Sequence, residues 1–314
     1  MKVVVAGATG AIGRPLVTAL RKSGHQVYAL TRGGRGAETA RSLGATPLVA
    51  NVMDRSDLLR ATERLTADAV VHQLTAYRHS PPTHYHAPGL LRTNALREVG
   101  SKHLVELAER TGARRYLTQS LILGYGMRDH GPNPVTEAEP FGRIPGDVND
   151  AVIGALHEAE AAAWRAPGID GIALRYGLFY GPGASDTFVR ALRHGILPLP
   201  NTVTGHIGFV HIEDAAAATV AALERGVPGQ AYNIVDDEPV TWGAMFDAMA
   251  QAIGARPPRR LPPRLVRMAS PLAAAQMLDL SIRVSNAKAR TELGWQPAYP
   301  TYREGLAALA GAAR

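Results

Sequence analysis

The chain has 314 residues, of which 46% are hydrophobic and 19% charged, the proportions of an ordinary globular protein. The absence of cysteine excludes disulfides, cysteine-ligated zinc and a thiol nucleophile, and no run approaches the roughly 20 apolar residues of a membrane span. The net charge of +7 comes from dispersed residues without interleaved aromatics, so we expect no nucleic-acid partner, and a cytoplasmic protein with no membrane contact.

A glycine-rich turn follows the first apolar run. Residues 2–6 (KVVVA) are predicted to form a strand buried on both faces, and apolar residues at helical spacing predict a helix over 14–21. Between them, Gly7 permits a sharp turn, Gly10 the close approach of a pyrophosphate, and Gly13 tight packing of helix on strand. We predict a dinucleotide-binding turn made by Gly7, Thr9, Gly10, Ala11, Ile12 and Gly13.

The second predicted strand, 26–31, leads into arginines. A fold that prefers NAD usually has Asp or Glu here, which accepts hydrogen bonds from the ribose hydroxyls. Arg32 and Arg35 would instead attract a 2′-phosphate, the alternative being a solvated arginine loop. We therefore predict NADP(H) as the cofactor.

A loop rich in histidine and proline follows the fourth predicted strand. Strands are predicted at 46–50 and 69–74, and residues 77–88 (YRHSPPTHYHAP) then lie at a carboxyl strand end, where open α/β sheets bind ligands. This segment is either a lid facing the substrate or a plain surface loop. His84 and His86 have no nearby carboxylate, so no metal site is predicted.

The alternation of strands and helices continues to residue 176. A long helix is expected at 90–111, strands at 114–119 and 169–176, and an alanine-rich helix at 150–165. The glycine- and proline-rich residues 124–149 are too long for a simple connection and are expected to cover the site. Further helices are predicted at 186–194, 214–225, 242–253, 263–277, 286–293 and 302–313.

These elements predict an α/β fold: a Rossmann-type doubly wound parallel sheet with a smaller C-terminal substrate-binding lobe. The NADP-binding domain is assigned to 1–176, with 206–235, which contains strands at 206–211 and 231–235, returning to it in part. The substrate lobe is assigned to 177–205 and 236–314. Its leucine-, methionine- and proline-rich composition favours a small substrate of low polarity.

The sequence resembles the extended short-chain dehydrogenase/reductase family, of the NAD-dependent epimerase/dehydratase type. The motifs that carry the resemblance are GATGAIG at 7–13, NVMD at 51–54, VHQLTA at 71–76, LRYGLFYGPG at 174–183, FVHIEDA at 209–215, YNI at 232–234 and ELGWQP at 292–297. The resemblance implies further cofactor contacts from Asn51, Val52, Leu74, Thr75, Asn94 and Tyr176. It also implies a homodimer built on the helices at 90–111 and 150–165.

The chain departs from this family at its catalytic pair. Members usually carry Tyr-x-x-x-Lys on the helix after the fifth strand, in the pattern Y-G-x-S-K-x-x-x-E, preceded by a Ser or Thr. The resemblance places Ser120 at the serine, Ile153 at the tyrosine and His157 at the lysine, and none of the four lysines follows a tyrosine at this spacing. Isoleucine cannot transfer a proton, so the usual mechanism is not expected.

Three hypotheses about function follow. The first is reduction or oxidation of a carbonyl or enone by NADP(H) with another acid, for which Ser120, Tyr125 and His157 are the candidates. For each of them a structural role is the alternative: a cap or turn for Ser120, packing for Tyr125, and a surface ion pair for His157. The second hypothesis is a non-redox isomerase, cyclase or epimerase, and the third a non-catalytic NADP-binding sensor.

Overall fold

A computed structural model describes residues 1–77, 83–142, 147 and 149–312. Parts of the predicted loops 77–88 and 124–149, and the end of the last predicted helix, fall outside these residues. The strands are β1 (Lys2–Ala6), β2 (Gln26–Thr31), β3 (Thr46–Val49), β4 (Ala69–His72), β5 (Arg115–Leu121), β6 (Asp170–Tyr176), β7 (Leu178–Tyr180), β8 (Pro198–Pro200), β9 (His206–Ile207), β10 (Phe209–His211), β11 (Ala231–Ile234), β12 (Val240–Thr241) and β13 (Arg259–Leu261).

Thirteen α-helices occur in the described residues. They are α1 (Gly13–Lys22), α2 (Gly34–Ser42), α3 (Arg55–Ala61), α4 (Pro88–Ala95), α5 (Ser101–Thr111), α6 (Asp150–Arg165), α7 (Asp186–Arg193), α8 (Ile212–Arg225), α9 (Trp242–Ala252), α10 (Pro263–Ala269), α11 (Pro271–Leu278), α12 (Ala287–Leu293) and α13 (Tyr302–Ala312). A π-helical segment, Leu96–Gly100, joins α4 to α5 into one continuous helix, and a 3₁₀ turn, Ile122–Tyr125, follows β5. No helix in the described ranges is long and apolar enough to span a bilayer.

Seven strands form one sheet in the order β11-β6-β5-β4-β1-β2-β3. Every neighbouring pair is parallel. The order reverses between β1 and β4, which opens a crevice at the carboxyl ends of these two strands. The predicted Rossmann-type doubly wound fold is confirmed, and β11 is the strand by which the chain returns to the edge of the sheet.

Side chains alternate between the two faces of this sheet. Val3 and Val5 belong to the core shared with α1 and α8. Val4 and Val70 belong to the core on the opposite face, with α3 and α5. Burial on both faces explains why these strands are continuous apolar runs.

The C-terminal lobe has its own aromatic and methionine-rich core. Trp242 packs edge-on against Phe209, with 5.4 Å between ring centroids, and stacks on Phe246 at 5.5 Å. Three two-stranded pairs, β10–β7, β12–β9 and β13–β8, surround it. The single helix predicted at 263–277 is wrong, because Ser270 leaves the helical conformation (φ −151°, ψ 72°) and Pro271, which cannot donate a backbone hydrogen bond, begins a new helix.

Candidate functional site

The glycine turn between β1 and α1 is fixed by backbone crowding. Gly7 has φ +95°, and a Cβ there would lie 2.6 Å from the Gln73 carbonyl oxygen at the end of β4. A Cβ on Gly13 would lie 2.0 Å from the Gly7 carbonyl oxygen, whereas Gly10 is exposed. Only glycine fits at positions 7 and 13 without a backbone shift.

The N-terminus of α1 is open to an anion. Its N-cap, Ile12, makes no side-chain capping bond, and no acidic residue lies in the first turn. Exposed Gly10 and Ala11 precede it, while the Thr9 carbonyl accepts a bond from Arg14 Nε at 3.2 Å. Uncapped backbone N–H groups and the positive end of the helix dipole attract phosphate. The turn therefore fits the pyrophosphate of a dinucleotide.

Two exposed arginine side chains lie at the carboxyl end of β2, the strand next to β1. Arg32 and Arg35 are exposed, and neither guanidinium hydrogen-bonds or ion-pairs with any residue the structure describes. The N-cap of α2, Gly33, likewise makes no side-chain capping bond. This arrangement fits the 2′-phosphate that distinguishes NADP from NAD.

The other predicted cofactor residues border the same crevice. Asn51 Oδ1 accepts a bond from the Met53 backbone N–H at 3.1 Å, and Val52 is buried below it. The Leu74 N–H donates to His72 Nδ1 at 3.2 Å, and Thr75 is exposed. These residues follow β3 and β4, so they lie at the same end of the sheet as the glycine turn.

Asn94 ties the long helix to α6. The side chain is buried, and its Nδ2 donates to the Ala151 carbonyl at 3.0 Å. Its Oδ1 has no hydrogen-bond partner among the described residues. One acceptor at the start of α6 is therefore left for another donor.

Ser120 lies near the end of β5 and is fully buried. Its hydroxyl has no hydrogen-bond partner in the described part of the chain. In the sheet it pairs with Arg175 of β6. Buried hydroxyls are nearly always hydrogen-bonded, so the Ser120 hydroxyl is available to donate to or accept from a ligand at this strand end.

Tyr125 belongs to a buried network centred on Arg175. Arg175 donates to both carboxylate oxygens of Glu160, at 3.0 and 2.8 Å, and to the Tyr125 hydroxyl at 3.0 Å. Tyr125 donates in turn to Asn233 Oδ1 at 2.8 Å, and the guanidinium covers the Phe141 ring at 3.7 Å. Burial raises the pKa of Tyr125, opposed by the Arg175 charge, so the phenol stays protonated. Acid catalysis by Tyr125 would require its hydroxyl proton to leave Asn233 Oδ1, whereas the bond accepted from Arg175 could remain.

His157 is half-buried against the segment that follows Phe141. Gly142, at φ +123°, lies so close that a Cβ there would be 2.8 Å from His157 Nδ1. Phe141 in turn meets the Tyr125 ring edge-on at 5.2 Å. The fold thus brings Ser120, Tyr125 and His157 around one region without a direct hydrogen bond among them.

Hydrocarbon occupies the tyrosine position of the family pattern. Ile153 is completely buried. In the family pattern the glutamate comes four positions after the lysine, whereas Glu160 comes three positions after His157. If the alignment is fixed on Glu160 instead, Val152 takes the tyrosine position and Leu156 the lysine position. Both are buried apolar residues as well, and neither register supplies a proton donor there.

Tyr176 lies in the core rather than facing the crevice. It is fully buried in the cluster that contains α1 and α8. Its hydroxyl accepts a bond from Gln73 Nε2 at 3.0 Å and pairs with the Thr219 hydroxyl at 2.7 Å. Both of these bonds lie within the core, so they hold the Tyr176 hydroxyl away from the crevice.

The described end of the predicted lid joins α6 to the C-terminal lobe. Tyr85 donates to Asn149 Oδ1 at 2.9 Å, and the Thr83 carbonyl accepts a bond from the Leu272 N–H at 3.2 Å. His84 and His86 are exposed. Within the described ranges, no group of three or more histidine, aspartate or glutamate side chains is placed to hold a metal ion.

Sequence reasoning missed one charged residue of this region. Arg97, in the π-helical segment, is buried, and neither Nη atom has a hydrogen-bond partner in the described residues. The signal available was its position three residues after Asn94 and four before Ser101, on the inward face of an amphipathic helix.

A doubly wound parallel sheet with an uncapped helix N-terminus and a glycine turn at its switch point defines a dinucleotide-binding α/β enzyme scaffold. The model of the NAD dependent epimerase/dehydratase family matches residues 3–235, and the chain belongs to this family. The expected family resemblance is thereby confirmed, and the chain is classed as an oxidoreductase.

Relatives and neighbours cover the chain from end to end. A 3-diazoavenalumate denitrifying reductase from Streptomyces is 38% identical to this protein over 98% of this chain and 99% of the length of the reductase. A ceramide reductase from Caulobacter vibrioides is 27% identical over 97% and 88%, respectively. The structure of human epimerase family protein SDR39U1 with NADPH superposes with a TM-score of 0.78, at 21% identity and 99% coverage of both chains.

Proposed function

We propose that the protein is an NADP(H)-dependent reductase that acts on a small organic substrate. The glycine turn and the open end of α1 would hold the pyrophosphate, and Arg32 and Arg35 the 2′-phosphate. When bound, the reduced cofactor supplies a hydride. The NADPH carried by the human neighbour and the reductase names of both relatives support this proposal.

The observation that carries our choice of substrate is the buried hydrocarbon at the tyrosine position. A carbonyl that accepts hydride becomes an alkoxide and needs a proton, which Ile153 and Val152 cannot give. A diazonium group that accepts hydride forms a C–H bond, breaks its C–N bond and leaves as N₂. The positive charge of the diazonium group balances the negative charge of the hydride, and NADPH is oxidised to NADP⁺. No proton from the protein is therefore required.

We therefore propose a carboxylate bearing a diazonium group as the substrate. The name of the 38% identical relative describes a diazo carboxylate that is denitrified by reduction, and protonation of a diazo group by solvent gives the diazonium form that we propose as the hydride acceptor. The C-terminal lobe has an apolar and aromatic core, and this composition suits the organic part of such a molecule.

Reduction of a carbonyl or enone is the second candidate, and one observation favours it. The buried Ser120 hydroxyl has no partner in the described residues and lies where the family places its catalytic serine. In that reaction Ser120 would donate to the substrate oxygen, with Tyr125 or His157 as the proton source. Tyr125 would first have to break the bond that its hydroxyl donates to Asn233.

One experiment separates these reactions. NADPH oxidation is followed with 4-carboxybenzenediazonium and with a panel of ketones and enones, against heat-inactivated protein as the blank. We expect N₂ release, and deuterium from deuterated NADPH in the product, with the diazonium probe. Ser120→Ala should leave the rate with the diazonium probe within about threefold. Turnover of a ketone or enone that falls by at least about a hundredfold in this variant would instead support the second candidate.

Other outcomes identify the remaining hypotheses. Product formation without net NADPH oxidation would indicate an isomerase, cyclase or epimerase. Tight NADPH binding without turnover on any probe would indicate a sensor. Either result would overturn the reductase proposal.

We also propose a homodimer in the cytoplasm. The family-like dimer face would consist of the helix at 88–111 and α6, where Leu91, Val99 and Trp164 expose 51%, 40% and 39% of their surface. Exposed large apolar residues on two adjacent helices favour association. The absence of cysteine is compatible with the cytoplasm, where disulfides are rare.

A further inference from the structure

Within the part of the chain that the structure describes, the buried Arg97 has no partner for its charge. Arg97 is 2% exposed, and its Nη1 and Nη2 find no acceptor in the described part of the chain. A guanidinium stays protonated at any pH a protein experiences. Burying such a charge without a partner strongly destabilises the folded protein. A bound anion at this position would therefore compensate the Arg97 charge and stabilise the protein.

The position of Arg97 is beside the switch point of the sheet. It lies in the π-helical segment Leu96–Gly100, whose Leu96 carbonyl pairs with His72 Nε2 at 3.3 Å. His72 is the last residue of β4 and pairs in register with Ala6, which directly precedes the glycine turn. Burial lowers the pKa of His72 to about 4, and the nearby Arg97 charge adds to this effect. Single π-turns occur frequently at functional sites.

Other unpaired polar atoms face the same seam between the long helix and the sheet. Asn94 Oδ1 lies about one turn before Arg97 on the helix. Thr118 and Ser120 share a strand face with Tyr116, which the Ser101 hydroxyl of α5 approaches. Native proteins leave few buried polar groups unpaired, so a cluster of them indicates that a ligand completes the bonding.

The ligand that fits is an oxyanion with two oxygens. The two Nη atoms of a guanidinium form a planar fork that matches a carboxylate or a phosphate, and a neutral group would leave the charge uncompensated. Within the proposed function, two groups have this chemistry: a phosphate of the cofactor and the carboxylate of the substrate.

We infer that Arg97 is an oxyanion-binding residue of the reductive site, and that it supplies the buried positive charge for which the family uses the lysine of its Tyr-x-x-x-Lys pair. The inference rests on the cofactor and substrate class proposed above. Arg97 approaches from the long helix, whereas the family's lysine comes from α6, where this chain has Leu156 and His157.

Arg97→Gln tests the inference by binding alone, so that loss of the reductase proposal would not affect the result. NADPH affinity is measured by fluorescence titration. In NADP⁺-saturated protein, the affinity for cinnamate, an aryl carboxylate, is compared with that for its neutral analogue cinnamamide. Arg92→Gln is the matched control, because Arg92 is exposed on the same helix. Arg97→Lys retains the charge but not the fork, and thermal unfolding of each apoprotein monitors folding.

The arms distinguish the two sources of the oxyanion. A loss of about tenfold or more in NADPH affinity identifies the cofactor phosphate, and a loss of about tenfold in the preference for cinnamate identifies the substrate carboxylate. Arg97→Lys should show an intermediate loss, which gives the answer if Arg97→Gln fails to fold. The melting temperature of the Arg97→Gln apoprotein should not fall, because this variant lacks the unpaired charge. Unchanged NADPH affinity together with no Arg97-dependent preference for cinnamate overturns the inference.

Discussion

Replacement of Arg32 and Arg35 by alanine should abolish the preference for NADPH over NADH that we propose for this protein. Both guanidinium groups are exposed at the carboxyl end of β2, and neither has a hydrogen-bond or ion-pair partner among the described residues. A charge-assisted contact to phosphate at an exposed site contributes about 1 to 1.5 kcal/mol. The two together give about 2 to 3 kcal/mol, or about 30- to 150-fold in the dissociation constant.

The assay is fluorescence titration of the single and double variants with NADPH and with NADH. The double variant should lose NADPH affinity by this factor while its NADH affinity is unchanged, because the two cofactors differ only in the 2′-phosphate. Raising the ionic strength should weaken NADPH binding to the unmodified protein more than to the variant. Arg41→Ala removes an exposed arginine near the other end of α2 and serves as the control. Equal losses for both cofactors, or none, would refute the assignment.

Three further changes test the scaffold around the site. Gly13→Ala should abolish NADPH binding and lower the melting temperature, because the new Cβ would lie 2.0 Å from a backbone oxygen; calorimetry measures both. Glu160→Gln should destabilise the protein by about 3 to 5 kcal/mol in urea unfolding by stranding the Arg175 charge, whereas Asp247→Asn in an exposed pair should cost under about 1 kcal/mol. Trp164→Glu should yield monomers in light scattering, and a monomeric parent protein would contradict the dimer proposal.

The parts of the fold that sequence predicts are those where local pattern and tertiary packing agree. The strand, turn and helix at residues 2–22 combine an apolar run with glycines that the backbone requires at positions 7 and 13. Helix α2 was not predicted, because three glycines at 33, 34 and 36 lower its propensity. It forms by burying Ala37 and Ala40, a contact that only the assembled sheet provides.

The same limit applies to the site. The family resemblance alone predicts Ser120 as a site residue. Its buried hydroxyl, which has no partner among the described residues, is consistent with a role in binding or catalysis. The partners that hydrogen-bond to Tyr125, Arg175 and Asn233, lie 50 and 108 positions further along the chain. The environment of Tyr125 could therefore not be predicted from the sequence. Arg97 was overlooked because an arginine within a helix is usually taken as solvent-exposed.

A buried carboxyl outside the crevice provides a test by pH. Asp236 is 3% exposed, and neither carboxylate oxygen makes a hydrogen bond of good geometry among the described residues, although the Glu238 backbone N–H approaches the carboxyl. Burial raises its pKa to about 9, and the negative charges of Asp237, Glu238 and Asp214 act in the same direction. Above its unfolded pKa of about 3.9, the unfolded chain has lost this proton while the folded chain keeps it.

Because the folded state binds the extra proton, this carboxyl makes the free energy of unfolding fall as pH rises from about 4 to about 9. Asp236→Asn keeps the shape and removes the titration, so the variant should gain stability relative to the parent as pH increases. Urea unfolding at pH 5 and pH 8 measures the change, and Asp186→Asn at an exposed helix start is the control. A variant whose stability relative to the parent is the same at both pH values would show that Asp236 is ionised in the folded protein, held by a partner such as an internal water.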